Sequence, residues 1–276
     1  MDFLSGLFGY QFLAHAAIAA VLSGVTCGIV GTYVVCRRTV FLSGGITHAS
    51  FGGIGLAYFL GWNPILGATL FALLSAVGIE WASDRKRIRE DSAIGIVWSI
   101  GMALGIIFIY LTPGYAPNIT GILFGNILTV TPTDLTASLL LTLLVALLFG
   151  GWWRPIMYVA FDRDFARSQQ MPVRTISYAM ALVVALTIVF SIRAVGIVLL
   201  ISLLTFPTVI VNSLTRSFYR LSIGSAVVAT LANLLGLLLS YKLNIPTGAA
   251  TIFVLTVTLI VVKTIPLCRN LRRVAR

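Results

Sequence analysis

The chain has 276 residues, of which 59% are hydrophobic and only 10% are charged. A soluble domain usually carries about 25% charged residues, so this composition excludes an ordinary soluble globular protein. The net charge of +11 does not indicate nucleic-acid binding. That function would need the basic residues gathered on one aqueous face, whereas here they lie in short clusters along the whole chain.

Apolar segments long enough to cross a bilayer follow one another along the chain. A spanning helix needs about 20 mostly apolar residues, and the predicted spans are His15–Cys36, Val40–Leu60, Pro64–Ser83, Ser92–Leu111, Leu135–Trp153, Ile176–Arg193, Gly196–Leu214, Leu221–Tyr241 and Ala249–Ile265. Gly121–Val130 is too short to span and is predicted to be an interfacial or re-entrant helix. The predicted fold is therefore all-α, a polytopic transmembrane bundle of about 8–9 spanning helices that forms a single domain over residues 1–276.

Basic residues mark alternate breaks between these segments. All Lys and Arg residues except Arg193 and Lys242 lie in five clusters, at residues 37–38, 85–89, 154–174, 216–220 and 263–276. The breaks between the clusters, including Thr112–Asn118 and Lys242–Gly248, carry almost no charge. Because loops rich in Lys and Arg stay cytoplasmic, we predict a multi-pass protein of the inner or plasma membrane. Its N-terminus lies outside and its C-terminus lies in the cytoplasm.

Motifs for chemistry on a substrate do not occur in the sequence. None of the three lysines follows a glycine, which excludes a phosphate-binding Gly-x-x-x-x-Gly-Lys loop. There is neither a Gly-x-Ser-x-Gly elbow nor a His-Glu-x-x-His pair. Cys27, Cys36 and Cys268 stand singly, which predicts neither a disulfide framework nor a Cys-x-x-Cys metal site. We therefore expect a protein that is not an enzyme and that binds no permanent cofactor.

His48 is the leading candidate for a functional residue, because ionisable groups inside a membrane span are functional by default. On a helix it shares a face with Gly44, Gly45 and Gly52. Glycines beside an imidazole leave volume that would admit an ion or a partner helix. Neutral imidazole is also the commonest protein ligand for transition metals. In the alternative interpretation, His48 only hydrogen-bonds a neighbouring helix and the glycines only serve packing.

A second candidate is the predicted cytoplasmic segment 154–175. Apolar residues such as Phe161 and Phe165 alternate there with charged ones, and Pro172 would end a short helix. Such a helix could dock a soluble partner in a groove, or it could be an amphipathic connector at the lipid interface. Further on, Pro207 predicts a break in a spanning helix, for which a simple kink is the alternative.

Six short motifs occur in one order over nearly the whole chain. They are Arg37-Arg38, Ser43–Gly55, Glu90–Val97, Leu123–Leu128, Phe161–Val173 and Val195–Pro207. In these motifs the chain resembles the membrane permease of ATP-binding cassette importers for zinc, manganese or iron. The resemblance implies a transported divalent metal ion and a homodimeric or paired permease in the lipid bilayer. It also implies two cytoplasmic ATPases that power transport and an extracytoplasmic metal-binding protein that delivers the ion.

The resemblance also implies roles for particular residues. The metal would contact His48, with neutral oxygen donors nearby on Thr47, Ser43 and Ser50. The helix received by the ATPase would include Phe161, Asp162, Asp164, Phe165 and Arg167. Two positions depart from the family pattern: Gly44 stands where an aspartate is common, and Gln170 stands where a glycine is usual.

Other functions stay open at this point. Related importers of larger metal chelates, such as siderophores, share the same general plan. A self-sufficient secondary transporter would need a coupling residue inside the membrane. An intramembrane enzyme is disfavoured, because the spans offer His48 and few acids, with Glu80 near an inner end.

Overall fold

The computed structural model describes residues 10–84, 88–113, 127 and 130–274, with side chains described as far as residue 264. Nine α-helices occur in this part of the chain: α1 Gln11–Cys36, α2 Val40–Leu60, α3 Pro64–Asp84, α4 Glu90–Leu111, α5 Pro132–Phe161, α6 Arg163–Ser168, α7 Val173–Asn212, α8 Phe218–Leu243 and α9 Thr247–Val274. Of the predicted re-entrant segment, only Ile127 and Val130 are described, and both are buried. Most of Thr112–Asn118 and the basic residues Arg85–Arg87 lie outside the described residues.

Eight of these helices are long and apolar enough to cross a membrane, namely all except α6. This confirms the predicted all-α bundle, and the helices overlap the predicted spans along the chain. The largest difference concerns Ile176–Arg193 and Gly196–Leu214. These two predicted spans are parts of one 40-residue helix, α7.

The helix α7 is too long to be a single crossing. At 1.5 Å per residue a straight helix of this length would extend about 60 Å, roughly twice the hydrocarbon core of a bilayer. It is interrupted at Gly196, whose φ of 76° and ψ of 168° are non-helical and suit a residue without a Cβ. Residues 173–195 and 197–212 therefore form two helical parts. The part of the chain that the structure describes thus has eight helices of spanning length, and the longest of them is divided at Gly196.

Proline positions do not all break the helices. The predicted break at Pro207 is wrong, because α7 keeps helical backbone angles there and leaves them only at Gly196. In α5 a proline does distort the helix, since Trp152, three residues before Pro155, has a non-helical φ of −118° and ψ of 24°. A proline ring clashes with the carbonyl four residues earlier, here that of Gly151. The helix α5 nevertheless continues to Phe161, beyond the predicted span end at Trp153.

The centre of the bundle is formed by α7 and α2. The helix α7 packs against α1, α2, α3, α5, α8 and α9. In the most apolar part of α2, 78% of the residues are buried inside the protein, against 22% in α4 and 17% in α5 and α9. The outer helices expose leucines and isoleucines. Such an apolar surface suits contact with lipid, whereas a soluble protein would face water there. The helix that carries His48 is thus an interior helix.

The predicted orientation can be tested at two exposed positions that the basic pattern assigns to opposite sides. In a background with Cys27, Cys36 and Cys268 replaced by alanine, we expect Asn244→Cys to be labelled by a membrane-impermeant maleimide on intact cells. We expect Arg216→Cys to be labelled only after the membrane is opened. Labelling of Arg216→Cys from outside would contradict the predicted orientation.

Candidate functional site

The position of His48 follows from a close contact between α2 and α4. Glycines let the two backbones touch: a Cβ added at Gly52 would lie 2.7 Å from the carbonyl oxygen of Gly101, so no larger residue fits. Gly101 in turn lies against Ala49, and Gly55 lies against Gly105. Small residues at a membrane helix interface permit such close approach. The register between α2 and α4 is therefore set by contacts on either side of His48.

The imidazole of His48 rests on two side chains of α4. Its ring stacks on the indole of Trp98, with ring centroids 4.3 Å apart and planes 15° from parallel. Its Nδ1 lies 3.2 Å from Sδ of Met102, one helical turn further along. When Nδ1–H donates to this sulfur, Nε2 keeps a free lone pair. A metal-ligating histidine is commonly held this way, by a hydrogen bond to its other nitrogen.

Of the two predicted occupants of the volume beside the glycines, an ion or a partner helix, the structure shows the partner helix α4. A Cβ on Gly44 would lie 3.1 Å from Cζ3 of Trp98, and one on Gly45 would lie 2.7 Å from Cγ2 of Ile94. The glycines therefore receive side chains of α4 instead of leaving empty space. Trp98 occupies the place next to Gly44 where a carboxylate would project in a chain with aspartate at that position.

The three hydroxyl residues suggested as extra oxygen donors are fully buried in α2. Each donates to a carbonyl oxygen of its own helix: Ser43 to Val40 at 2.7 Å, Thr47 to Ser43 at 2.6 Å, and Ser50 to Ile46 at 2.8 Å. Such bonds satisfy a hydroxyl inside a helix without reference to any ligand. His48, by contrast, is half-buried.

Within the described part of the chain, no three His, Cys, Asp or Glu residues are grouped closely enough to hold a metal ion. A site at His48 is therefore sparse in one copy of the chain. A binding site on a transport path must release its ion, so a weak ligand set is compatible with transport.

The predicted coupling segment folds as the short helix α6 between α5 and α7. Asp162 caps it, because its Oδ1 accepts hydrogen bonds from the backbone N–H groups of Asp164 and Phe165, at 3.0 and 2.9 Å. Ala166 is fully buried on the inner face and anchors the helix against the bundle. The result is a short capped helix that contacts the bundle along one side.

The residues assigned to ATPase contact lie on the exposed side of α6 and at the end of α5 directly before it. Phe161 is 64% exposed and Phe165 is 46% exposed. Asp164 and Arg167 are also exposed and pair with each other at 2.9 Å. Two aromatic rings with a charged rim are typical of a protein-binding patch, since aromatic residues are enriched at the centres of interfaces.

The departure at Gln170 has a structural explanation. Gln170 adopts φ of 56°, in the left-handed region that glycine enters most easily. It closes the turn after α6, where its N–H donates to the carbonyl of Arg167 at 2.9 Å. A glycine at this position would relieve the backbone strain, which accounts for the usual residue of the pattern.

Several residues of interest were missed from the sequence. No sequence pattern singles out Trp98 and Met102, because their contact with His48 depends on which helix faces α2. Glu80 was noted only as an acid near a span end. The structure buries it between Arg37 and Arg163, which contact its two carboxylate oxygens at 2.7 and 2.6 Å. An acidic residue inside a span was the one signal that could have indicated this cluster.

Comparison with known proteins covers nearly the whole chain. The profile of the ABC 3 transport family matches residues 9–265. The chain is 32% identical over 257 residues to the manganese transport system membrane protein MntC of Listeria innocua, covering 93% of this chain and 91% of that protein. It is 33% identical over 254 residues to the chelated iron transport system membrane protein YfeD of Yersinia pestis, covering 91% and 84%. Its fold is similar to that of PsaBC from Streptococcus pneumoniae in complex with Fab, with a TM-score of 0.83, 29% identity and 94% of each chain covered.

Proposed function

Because the chain belongs to the ABC 3 transport family, we propose that it is the membrane permease of an ATP-binding cassette importer that moves a divalent transition metal ion into the cytoplasm. The observation that carries this proposal is the match of residues 9–265 to one transport family. Manganese or iron is favoured as cargo, because relatives at 32% and 33% identity are named for manganese and chelated iron. Zinc is the third candidate.

His48 is proposed as the residue that contacts the ion in transit. It is a half-buried imidazole on an interior helix, and Trp98 and Met102 hold its ring in one orientation. Imidazole suits iron and zinc better than manganese, which prefers oxygen donors, so a manganese site would need oxygen atoms besides His48. The hydroxyls of Ser43, Thr47 and Ser50 are proposed only as weak neutral neighbours, since each already bonds its own helix.

A homodimer is proposed because one copy offers so few ligands. In a two-fold symmetric pair the same surface of each copy meets its counterpart. Two copies of His48 could then face one path along the symmetry axis. The exposed apolar side chains of α4, such as Ile96 and Ile100, supply a surface for lipid or for the second copy.

The remaining partners are proposed from the same family membership and from α6. A cytoplasmic ATPase would receive the exposed Phe161 and Phe165 together with Asp162, Asp164 and Arg167. An extracytoplasmic metal-binding protein would deliver the ion from the other side. The permease would alternate between outward-open and inward-open states, and ATP would be hydrolysed by the cytoplasmic ATPase.

The test is metal uptake in a bacterial strain that lacks its own manganese and iron importers. The permease is expressed with its ATPase and its metal-binding protein, and entry of radioactive manganese, iron and zinc is measured separately. We expect uptake that stops when the ATPase carries a substitution that abolishes ATP hydrolysis. Uptake that continues with the inactive ATPase would indicate a secondary transporter instead.

Placing a carboxylate at position 44 should change the kinetics of transport, but only when the indole of Trp98 is also removed. We expect Gly44→Asp alone to reduce protein abundance, because a side chain there pushes against the indole and overpacking costs about 1–3 kcal/mol. In the pair Gly44→Asp with Trp98→Ala, the carboxylate would lie on the same face as His48. The KM for manganese uptake should then fall about tenfold, the scale at which changes around metal ligands alter affinity, and the maximal rate should fall because release is slower.

The matched control for this pair is Trp98→Ala alone, which removes the indole without adding a carboxylate. If the pair and the control have the same KM for manganese, the face of α2 at Gly44 is not on the path of the ion.

A further inference from the structure

Glu80 is a buried carboxylate that joins two helices far apart in the sequence. Its side chain is only 3% exposed, near the end of α3. One oxygen accepts a hydrogen bond from Nη2 of Arg37 at 2.7 Å, and the other accepts one from Nη2 of Arg163 at 2.6 Å. Arg37 follows directly after α1, and Arg163 is the first residue of α6. One residue thus connects the proposed ATPase-binding helix to the interior of the bundle.

Arg37 extends this connection to the helix that holds His48 in place. Its side chain is 4% exposed, and Nη2 also donates to Oε1 of Glu90 at 2.7 Å. Glu90 is the first residue of α4, which further along carries Trp98. Burial alone would lower the pKa of Arg37, but Tyr33, Glu80 and Glu90 outweigh it and raise the pKa above its usual value. Arg37 therefore stays charged, and the connection from α6 to α4 consists of charged groups throughout.

Buried charges make such a connection stiff. A charge removed from water cannot be left unpaired without a large cost, so a buried ion pair does not separate freely. When α6 moves, Glu80 and Arg37 must move with it or exchange partners. The other ion pairs of this region are less constrained, because Arg167 and Arg174 are 46% and 78% exposed where they approach Asp84, and water compensates exposed pairs readily.

The hydrogen bonding of the Arg163 side chain is incomplete at its Nε atom. Its Nε is buried and finds no hydrogen-bond partner among the residues that the structure describes. Its Nη2, besides bonding Glu80, donates to Ser177 on α7 at 3.1 Å. A buried donor without a partner is costly in a single rigid state. A buried donor without a partner is expected in a side chain that exchanges hydrogen-bond partners between two conformational states.

We propose that Glu80 is a positioning residue that transmits the movement of α6 to α1 and α4, through Arg163 on one side and Arg37 on the other. This inference rests on the proposed function, because it assumes that α6 receives the ATPase. The Glu80–Arg163 contact links the ATPase to the helix that carries Trp98 and Met102. Without it, ATP is hydrolysed but the path around His48 does not change state.

The experiment measures the amount of manganese moved per ATP hydrolysed, with the permease, its ATPase and its binding protein in proteoliposomes. We expect Glu80→Gln to lower this ratio about fivefold or more, the low end of coupling between linked sites. Glu80→Gln leaves two arginines with less negative charge beside them and could therefore impair folding. The double variant Glu80→Gln with Arg163→Gln removes one charge of each sign and keeps the local charge balanced.

The double variant decides between a coupling role and a purely structural one. If the cluster only stabilises the fold, restoring charge balance should restore the wild-type ratio of manganese to ATP, and the inference is wrong. If Glu80 transmits movement, the double variant should be present at wild-type abundance and hydrolyse ATP, with the ratio still lowered.

Asp91→Asn is the control, because it removes an exposed acid that pairs with its neighbour Arg89, and its ratio should equal that of the wild type. If the wild-type complex transported none of manganese, iron and zinc, the proposed function itself would be contradicted. That result is distinct from normal coupling in the double variant, which would contradict only the role of Glu80.

Discussion

Replacing His48 with alanine is expected to lower manganese uptake by about tenfold or more. Loss even of an outer partner of a metal ligand typically costs about 10–100-fold in affinity or activity, and here the ligand itself is removed. The measurement is uptake of radioactive manganese by cells that contain the complete transporter, with the amount of permease in the membrane determined by blotting. His15→Ala is the matched control, since it makes the same change at the other histidine of the chain.

The contacts of His48 call for a second variant that separates binding from packing. Stacking against Trp98 is worth about 0.5–1.5 kcal/mol, so alanine also removes some packing. His48→Phe keeps an aromatic ring against the indole but has no nitrogen to bind an ion. If His48 contacts the metal, both variants lose uptake. Normal uptake by His48→Phe would show that the residue serves only packing, and the ion path would then have to be sought elsewhere in the bundle.

Replacing Phe165 with aspartate is expected to uncouple the permease from its ATPase. Phe165 lies on the exposed side of α6 and is itself half-exposed. A buried aromatic residue at the centre of an interface often contributes about 2 kcal/mol or more, which corresponds to roughly 30-fold in affinity. We expect the amount of ATPase that copurifies with the permease to fall strongly and metal uptake to fall with it, while insertion into the membrane is unchanged.

Two controls make this result specific. Phe165→Leu keeps an apolar side chain and should retain most of the binding. Leu214→Asp adds the same charge at another exposed position, in the turn between α7 and α8, which is predicted to lie on the same side of the membrane. Copurification of normal amounts of ATPase with Phe165→Asp would show that α6 does not form the contact.

Much of this protein was predictable because the bilayer imposes simple rules. Hydrocarbon thickness sets the length of a spanning helix, and unsatisfied backbone groups exclude other structures. The apolar segments of the sequence therefore predicted the eight long helices, including Val40–Leu60 with its bounds unchanged. Where two predicted spans were joined into α7, Gly196 still separated them as a residue suited to the non-helical angles of the break.

Local patterns were less reliable where backbone conformation depends on packing. Pro207 predicted a break that is absent, because a proline can remain inside a helix that is packed on all sides, and Pro207 is buried. The segment around Phe165 contains the short helix that was expected, but the helix ends at Ser168 and not at Pro172, which instead precedes α7. Only the structure shows that Asp162 caps this helix and that Phe161 still belongs to α5.

The sequence by itself determined the class of protein and most of its membrane helices, and it singled out His48 and the segment around Phe165 as candidates. The tertiary structure decided what surrounds them. Trp98 and Met102 meet His48 across 50 and 54 positions of sequence, and Arg163 meets Glu80 across 83. Such contacts depend on which helix faces which, and that choice is made by small residues such as Gly52 and Gly101, where two backbones can approach closely. Hydropathy and charge indicate whether a segment lies in the membrane or in water, but they do not indicate which other helix it packs against.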